Sequence, residues 1–294
     1  MTVSPVPAAA PAHPTVGFIG LGNQGTPMAR RVATAGWPLV VWARRSAAYA
    51  GLDGVAHTVA AGPADLGARC AIVGLCLLDD DSIRAVALDD GLLAAMAPGA
   101  VLVIHATTTP ALCRDLGRRA AASGVEVVDA PVSGGAEAAA AGVLTVMVGG
   151  AATAVGTVRP LLETFGDPVR HVGPLGSGQA AKLVNNALFT ANVGAAATAL
   201  AAAVELGLDR AAVADILAHG SARSLALEVL PRLTSLPATG HAQALLDKDV
   251  RQLAAAFVDV GLAVPALAEL ATAALRTIAS AAGAAQEPGG TLGR

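Results

Sequence analysis

The sequence predicts an α/β fold in which a doubly wound, mainly parallel sheet is followed by an all-α domain, with a long helix joining the two. Three observations lead to this prediction. Short apolar strands alternate with helical stretches as far as Val148, which is typical of a parallel sheet covered by helices on both faces. A G-x-G-x-x-G loop follows the first strand, and beyond Gly178 only helical patterns remain.

The first strand, Val16–Ile19, leads directly into a glycine-rich loop. The loop is Gly20-Leu21-Gly22-Asn23-Gln24-Gly25, and the helix after it is predicted to stop at Gly36. Glycines in these places allow a tight turn and a close approach of the backbone to a pyrophosphate, while amides at the start of the helix face the phosphates. The motif alone is weak, but strand, loop and helix in this order predict a Rossmann-like dinucleotide-binding domain.

The second strand, predicted at 38–42, ends in the segment that selects the cofactor. In NAD-binding domains an acidic residue near this place binds the ribose hydroxyls, whereas this chain has Ala43-Arg44-Arg45-Ser46. Two guanidinium groups and a hydroxyl suit a 2′-phosphate, because arginine presents a planar fork of donors to phosphate. The segment predicts NADP, with NAD less favoured. The alternative is a pair of solvated surface arginines.

Ligands of such sheets bind at the carboxyl ends of the strands. Further strands are predicted at 71–77, 101–106, 125–130 and 144–148. Three segments lie at their ends: Leu77-Leu78-Asp79-Asp80, Thr107-Thr108-Thr109-Pro110 and Asp129-Ala130-Pro131-Val132-Ser133-Gly134-Gly135. The last offers a hydroxyl and glycine amides that can hold a carboxylate, although by itself it is also compatible with an ordinary turn.

A glycine-rich loop at 173–178 leads into the long helix, which is predicted at 179–206. Lys182 and Asn186 are four residues apart on it and share one face, so an amine that transfers protons and an amide that binds a hydroxyl would reach the same small molecule. The alternative, which this stretch alone would favour, is a lysine that merely extends from an amphipathic helix. Further helices are predicted to about residue 282, with interruptions near Gly220, Pro231, 237–240 and 261–265.

The composition and net charge of the chain limit the classes of partner that it can bind. The 294 residues are 54% hydrophobic but only 2% aromatic, which predicts helices packed closely through alanine, valine and leucine. A formal net charge of −3 offers no basic surface for nucleic acid. The uncharged stretch 187–204 has the length of a membrane span, but it is mostly alanine and includes Thr190 and Asn192, so we expect burial in protein and no membrane partner.

Two further features indicate the compartment. Cys70, Cys76 and Cys113 lack the spacing of metal ligands and predict free thiols in a reducing environment, with no metal site. Residues 1–14 are rich in proline and alanine and lack the basic and apolar regions of a signal peptide, so they predict a disordered leader. We expect a cytoplasmic protein.

Four segments, in this order and spacing, point to one family. They are Phe18-Ile19-Gly20-Leu21-Gly22-Asn23-Gln24-Gly25, Asp129-Ala130-Pro131-Val132-Ser133-Gly134-Gly135, Gly176-Ser177-Gly178-Gln179-Ala180-Ala181-Lys182-Leu183-Val184-Asn185-Asn186 and Lys248-Asp249. Together they resemble the β-hydroxyacid dehydrogenases of the 6-phosphogluconate dehydrogenase superfamily, among them 3-hydroxyisobutyrate dehydrogenase and tartronate semialdehyde reductase. The resemblance covers Thr15 to about Leu275. It implies hydride transfer between NADP(H) and a short β-hydroxy acid or carboxylic semialdehyde.

The resemblance also implies roles for individual residues. Lys182 would be the catalytic proton donor and acceptor, and Asn186 would help to place the substrate. Ser133, Gly134 and Gly135 would hold the substrate carboxylate. The cofactor contacts would be Gly20, Leu21, Gly22, Asn23, Gln24, Gly25, Arg44, Arg45, Ser46, Leu77, Leu78, Thr108 and Lys248. An NADP-binding domain at 15–178 and a helical dimerisation and substrate domain at 179–294 would assemble as a homodimer or homotetramer.

The chain departs from the family at several places. Gln24 stands where other members commonly have methionine, Leu78 where they have proline, and His105 where they have aspartate. His241 stands where an aromatic residue is usual, and the usual C-terminal segment is missing after Ile278. Two alternatives stay open. The first is an imine reductase-like NADPH enzyme, although such enzymes lack the lysine that this chain has at position 182. The second is a non-catalytic NADP-binding protein, which would not need the pair Lys182 and Asn186.

Overall fold

The computed structural model describes residues 13–235 and 241–284. The chain divides into two compact units, Met1–Lys182 and Leu183–Arg294, which we call unit 1 and unit 2. Their boundary falls inside one helix, Ser177–Glu205. The predicted leader at 1–14 lies almost wholly outside the described residues, as does everything after residue 284.

Unit 1 is built on a sheet whose strands are mostly parallel. The strands are β1 (Val16–Ile19), β2 (Leu39–Trp42), β3 (Thr58–Val59), β4 (Ile72–Leu75), β5 (Val101–Ile104), β6 (Glu126–Asp129), β7 (Val132–Ser133), β8 (Leu144–Gly149) and β9 (Gly166–Gly173). Their order is β3-β2-β1-β4-β5-β6-β8-β7, and β9 pairs with β8. Pairing is parallel from β3 to β6 and between β8 and β9, while β8 is antiparallel to β6 and β7.

Helices cover both faces of this sheet. They are α1 (Gly25–Thr34), α2 (Pro63–Arg69), α3 (Asp80–Arg84), α4 (Leu92–Ala95), α5 (Pro110–Ala121), α6 (Gly135–Ala141) and α7 (Ala152–Leu162). Phe18 of β1 packs into one apolar cluster with α1 and α7, whereas the neighbouring Ile19 packs into a second cluster with α2 and α5. Successive strand residues point to opposite faces, so the sheet is buried on both sides. The predicted doubly wound, mainly parallel sheet is confirmed.

The sequence did not predict β3, β7 and β9, because none of them shows the regular alternation of apolar and polar residues that is typical of a strand. β3 and β7 have two residues each, too few for alternation. β9 contains Pro168 and alternates poorly, with exposed Arg170 and His171. The predicted strands at 71–77, 101–106 and 125–130 are each shorter in the structure, since their last residues form the loops at the carboxyl edge of the sheet.

Unit 2 is helical throughout its described part. Helix α8 (Ser177–Glu205) begins in unit 1 and continues into unit 2, followed by α9 (Arg210–His219), α10 (Leu225–Ser235), α11 (His241–Val258) and α12 (Ala266–Ala284). Leu183 of α8 packs with α11 and α12, and Val193 packs with α10 and α12. A Cβ atom added at Gly194 would lie 2.6 Å from Cα of Ala274, so α8 and α12 approach through their backbones. By length and composition alone α8 could cross a membrane, a test that core helices of soluble proteins also pass.

The predicted interruption at Pro231 is wrong, because α10 continues through it. A proline inside a helix removes one backbone hydrogen bond and costs about 3 kcal/mol. Ala226 and Leu230 are buried on the same helix, and their packing outweighs that cost. Pro160 is tolerated inside α7 in the same way, between buried Val158 and Leu161.

Candidate active site

The glycine loop of unit 1 borders a cleft of about 390 Å³. Seven of the residues predicted to bind cofactor line it: Gly20, Leu21, Gly22, Arg44, Arg45, Leu77 and Leu78. A Cβ atom added at Gly22 would meet nothing within 4 Å, so the loop backbone is open to a ligand at this residue. Helix α1 starts three residues later and has no acidic residue in its first turn. An open backbone beside a helix N-terminus fits a pyrophosphate.

The two arginines at the end of β2 are exposed and available to an anion. Neither Arg44 nor Arg45 forms an ion pair with any residue in 13–235 or 241–284. Arg45 also lines a second, larger cleft of about 800 Å³, together with Asn23, Thr26 and Glu137. Ser46 begins the 3₁₀ segment Ser46–Leu52 and is exposed. Both guanidinium groups therefore lack an ion-pair partner within the described chain and could bind a phosphate.

The loop predicted to bind the substrate carboxylate lies beside the glycine loop. The side-chain amide of Gln24 donates a hydrogen bond to the Gly135 carbonyl at 3.3 Å. Ser133 is on β7, paired with Thr145 of β8, and Gly134 and Gly135 follow it with φ of 135° and 76°. Glycines adopt such positive φ angles without strain, and consecutive backbone amides in a turn of this kind can bind a carboxylate.

Thr108, predicted as a cofactor contact, is fully buried in unit 1. Its backbone amide donates to Gln179 Oε1 at 3.0 Å, and its hydroxyl donates to Asp80 Oδ1 at 2.5 Å. Thr109 donates to the other oxygen of Asp80 at 2.9 Å. The Thr108 turn is thus bonded to the start of α3 and to the first turn of α8, and Thr108 does not line the cleft beside the glycine loop.

Asp129 and Gln179 fix the first turn of α8, and sequence reasoning assigned no role to either. The Asp129 carboxylate accepts hydrogen bonds from the Gly176 amide at 2.6 Å and the Gln179 amide at 2.7 Å. The Gln179 side chain donates to the Ala106 carbonyl at 2.8 Å. Burial raises the pKa of the Asp129 carboxyl, and the amides of Gly176 and Gln179 oppose that rise. Both polar residues lie within the quoted motifs, in otherwise apolar surroundings, which is the signal that could have found them.

Lys182 is the last residue of unit 1 and lies on α8, three residues beyond Gln179. It is buried, with 8% of its surface exposed. Residues three apart on a helix lie on nearly the same face, so the bonds of Gln179 fix the turn that carries the lysine. The structure thereby ties Lys182 to the carboxyl ends of β5 and β6.

In unit 2, Asn186 and the Lys248-Asp249 pair come together. The Asn186 side-chain amide donates to Asp249 Oδ2 at 2.6 Å. Lys248 Nζ lies 3.3 Å from Asp249 Oδ1, an ion-pair distance without the geometry of a hydrogen bond. Asp249 is buried. The side chain predicted to place the substrate is therefore itself held by a carboxylate.

His105 is a core residue of unit 1. Its Nδ1 lies 3.0 Å from the Ala130 carbonyl oxygen, and its ring stacks on Phe18 and meets the edge of Phe165. Burial lowers the pKa of His105 to about 4. The side chain of His241 lies outside the described part of the chain.

The cysteines are free, as predicted. Burial raises the pKa of the Cys70 and Cys76 thiols to about 12. At neutral pH both are thiols rather than reactive thiolates. Among the described residues, no group of three or more His, Cys, Asp or Glu could hold a metal ion.

Two family models account for most of the chain. Residues 15–173 match the NAD binding domain of 6-phosphogluconate dehydrogenase, and residues 176–288 match the model described as NAD-binding of NADP-dependent 3-hydroxyisobutyrate dehydrogenase. The chain belongs to the β-hydroxyacid dehydrogenase family. The predicted resemblance is confirmed, and with it the coarse class of an NAD(P)-dependent hydroxyacid dehydrogenase.

Three proteins that are similar to this chain differ in the cofactor or ligand that their names give. The NAD-dependent L-serine dehydrogenase of Pseudomonas aeruginosa is 39% identical over 215 residues, which span 73% of this chain and 72% of that enzyme. The structure of Mycobacterium tuberculosis 3-hydroxyisobutyrate dehydrogenase with L-serine has a TM-score of 0.81 and 25% identity, covering 94% of this chain and all of that one. Psf3 in complex with NADP+ and 2-OPP has a TM-score of 0.74 and 27% identity, covering 90% and 93%.

Proposed function

We propose that this β-hydroxyacid dehydrogenase transfers a hydride between NADP(H) and a short β-hydroxy acid or its semialdehyde, with Lys182 as proton donor and acceptor. The observation that carries the proposal is the anchoring of Lys182. The hydrogen bonds of Asp129 and Gln179 hold the turn of α8 that bears it, within the unit that contains the glycine-loop cleft. A proton-transfer group needs a fixed place relative to the reacting atom.

The choice of NADP rests on charge. Arg44 and Arg45 are exposed and form no ion pair in the described part of the chain, and no carboxylate stands beside them in sequence. A 2′-phosphate would supply the missing negative charge. One relative is NAD-dependent and one structural neighbour holds NADP+, so only Arg44 and Arg45 favour NADP over NAD.

When bound, the nicotinamide supplies or accepts the hydride. Lys182 would donate a proton to the substrate carbonyl oxygen during reduction and accept it from the hydroxyl during oxidation. Ser133 and the amides of Gly134 and Gly135 would hold the substrate carboxylate, and Asn186 would orient the hydroxyl.

A β-hydroxy acid that also carries an ammonium group is a second candidate substrate. Two proteins similar to this chain have L-serine in their names. The substrate is therefore a short β-hydroxy acid with or without an α-amine.

Assembly and location complete the proposal. Most of the exposed large hydrophobic side chains among the described residues belong to unit 2, among them Leu206, Ile216, Leu225, Val258, Leu262 and Leu270. Such a surface is typical of an oligomer interface. We propose a cytoplasmic homodimer or homotetramer that associates through unit 2.

A panel of reactions followed at the nicotinamide absorbance tests the proposed activity. The purified enzyme is assayed with NADP+ and 3-hydroxyisobutyrate or L-serine, and with NADPH and short semialdehydes or a cyclic imine. Oxidation of a hydroxy acid and reduction of its semialdehyde are expected. Turnover of the imine alone would indicate an imine reductase, and tight NADPH binding without any turnover would indicate a non-catalytic protein. Either result contradicts the proposal.

A further inference from the structure

Tyr49 is the single tyrosine of the chain and bonds to the backbone at the end of β2. Its hydroxyl accepts a hydrogen bond from the Ala43 amide at 3.1 Å and lies 3.3 Å from the Ala43 carbonyl oxygen, to which it donates. The ring is half-buried and packs with Ala43 and Ala48 against the cluster that contains α1. The Tyr49 hydroxyl therefore binds both the amide and the carbonyl of Ala43.

This bond closes the loop that carries the two arginines. Arg44 and Arg45 lie between Ala43 and Tyr49, and the Ala48 amide donates to the Arg45 carbonyl at 3.1 Å inside the loop. The far end of the 3₁₀ segment is held as well, since Arg30 Nη1 donates to the carbonyls of Gly51 and Asp53 at 3.0 and 2.9 Å. The arginine turn is thus fixed on both sides by contacts within unit 1.

We propose that Tyr49 is a positioning residue for the cofactor 2′-phosphate, acting through Arg44 and Arg45. The inference rests on the proposed use of NADP. A loop that is already fixed before binding loses little conformational entropy when the ligand binds, so the ligand binds more tightly. Because the 2′-phosphate is the group that distinguishes NADP from NAD, loosening the turn should weaken NADP(H) and spare NAD(H).

The variant Tyr49→Phe keeps the ring and removes the hydroxyl. Dissociation constants are measured by calorimetry for NADPH, NADH, adenosine 2′,5′-bisphosphate and AMP. We expect roughly five- to tenfold weaker binding of the two ligands that carry a 2′-phosphate, the effect of about one lost hydrogen bond. Binding of NADH and AMP should change less than about twofold.

Thr164→Val is the matched control. The Thr164 hydroxyl also donates to a backbone carbonyl, that of Leu161 at 2.7 Å, and it lies in the same unit but lines neither of the two clefts beside the glycine loop. It should lower the melting temperature about as much as Tyr49→Phe without changing the preference for NADPH over NADH. A purely structural Tyr49 would behave like this control.

Hydrogen exchange of the Ala43 amide gives a second, ligand-free measurement. The amide should be protected in the unmodified protein and exchange faster in Tyr49→Phe. An unprotected Ala43 amide in the unmodified protein overturns the inference, as does a Tyr49→Phe variant that keeps the full NADPH preference. If the unmodified protein binds NADH as tightly as NADPH, the assignment of NADP itself fails, and the inference fails with it.

Discussion

The Asp129 carboxylate accepts a hydrogen bond from the Gln179 amide at 2.7 Å, which joins the end of a buried strand to the first turn of α8. The two residues are 50 positions apart in sequence. A carboxylate at a helix N-terminus satisfies free amides and interacts favourably with the helix dipole. The relationship sets the place of Lys182, and several measurable consequences depend on it.

Gly178 permits this contact, so Gly178→Ala should disrupt it. A Cβ atom there would overlap the Met147 carbonyl oxygen and would lie 2.8 Å from Asp129 Oδ2 and 2.9 Å from the Asp129 carbonyl oxygen, all closer than such contacts allow. We expect a loss of about 1–3 kcal/mol in the free energy of unfolding and a large fall in kcat. Urea unfolding and steady-state kinetics measure the two effects.

Gly156→Ala is the control for this substitution. Gly156 is exposed inside α7, and an added Cβ atom would meet nothing within 4 Å. Alanine should stabilise the helix there by up to about 1 kcal/mol. If both alanine variants behaved alike, the close approach of α8 to Asp129 would not matter for stability or catalysis.

Replacing Lys182 tests its proposed chemistry most directly. Lys182→Ala should lower turnover by roughly 10²–10⁴-fold, the range that general acid–base groups supply, while NADPH affinity stays nearly unchanged. Lys182→Arg should also be nearly inactive, because a guanidinium keeps its proton. Steady-state kinetics and NADPH titration separate the two parameters. An active Lys182→Arg enzyme at neutral pH would remove the assigned role, and a loss that tracks the folded fraction would make Lys182 structural.

Arg44 should govern the choice of cofactor. NADPH is expected to bind at least about tenfold more tightly than NADH, a difference of about 1.4 kcal/mol, and Arg44→Ala should erase much of it. Arg118→Ala, a change at an exposed arginine on α5 whose partner is Asp115, should leave the ratio unchanged. Equal or better kinetics with NADH in the unmodified enzyme would contradict the prediction.

His105 should make stability depend on pH. Burial lowers its pKa from 6.5 to about 4, so between these values the unfolded chain binds a proton that the folded chain does not. This titration therefore leaves the free energy of unfolding unchanged above about pH 6.5 and lowers it as the pH falls towards 4. By pH 5 the loss should be about 2 kcal/mol, since each pKa unit corresponds to 1.36 kcal/mol.

Urea unfolding at pH 7 and pH 5 measures this loss. In His105→Gln the side-chain amide can still donate to the Ala130 carbonyl but does not titrate in this range. The decrease in the free energy of unfolding between pH 7 and pH 5 should therefore be about 2 kcal/mol smaller than in the unmodified protein. His219→Gln serves as control because the His219 side chain is 79% exposed, and it should keep the full pH dependence. An identical pH dependence in all three proteins would rule out the assigned contribution of His105.

Association through unit 2 is expected from its exposed apolar residues. Sedimentation at micromolar concentration should show at least a dimer. Ile216→Glu, at a 66% exposed residue of unit 2, should shift the equilibrium towards the monomer, whereas Val143→Glu, at a 54% exposed residue of unit 1, should not. A monomer in the unmodified protein would refute this expectation.

Much of the fold follows from local pattern. The loop Gly20-Leu21-Gly22-Asn23-Gln24-Gly25 predicted the first strand, the first helix and the class of ligand, because each of these depends on neighbouring residues. The long helix was predicted within two residues of its start at Ser177. Pro231 was misread because the packing of Leu230 outweighs the local preference of proline.

The network at the site could not be predicted in this way. Gln179 bonds to Ala106, 73 residues earlier, and no local pattern links two such distant residues. Thr108 illustrates the same limit: the family resemblance implied a cofactor contact, while the structure uses its amide and hydroxyl inside unit 1. Its contact with the cofactor stays a prediction.

The boundary between Lys182 and Leu183 lies inside a continuous helix, and this limits how members of the family can be recombined. A chimera that joins unit 1 of one enzyme to unit 2 of another has no flexible linker in which to place the junction. Each residue of an α-helix adds about 1.5 Å of rise and about 100° of rotation. One residue gained or lost between Lys182 and Asn186 would therefore rotate Asn186 away from the helix face that carries Lys182, so the joined helix must keep its residue count between these two positions.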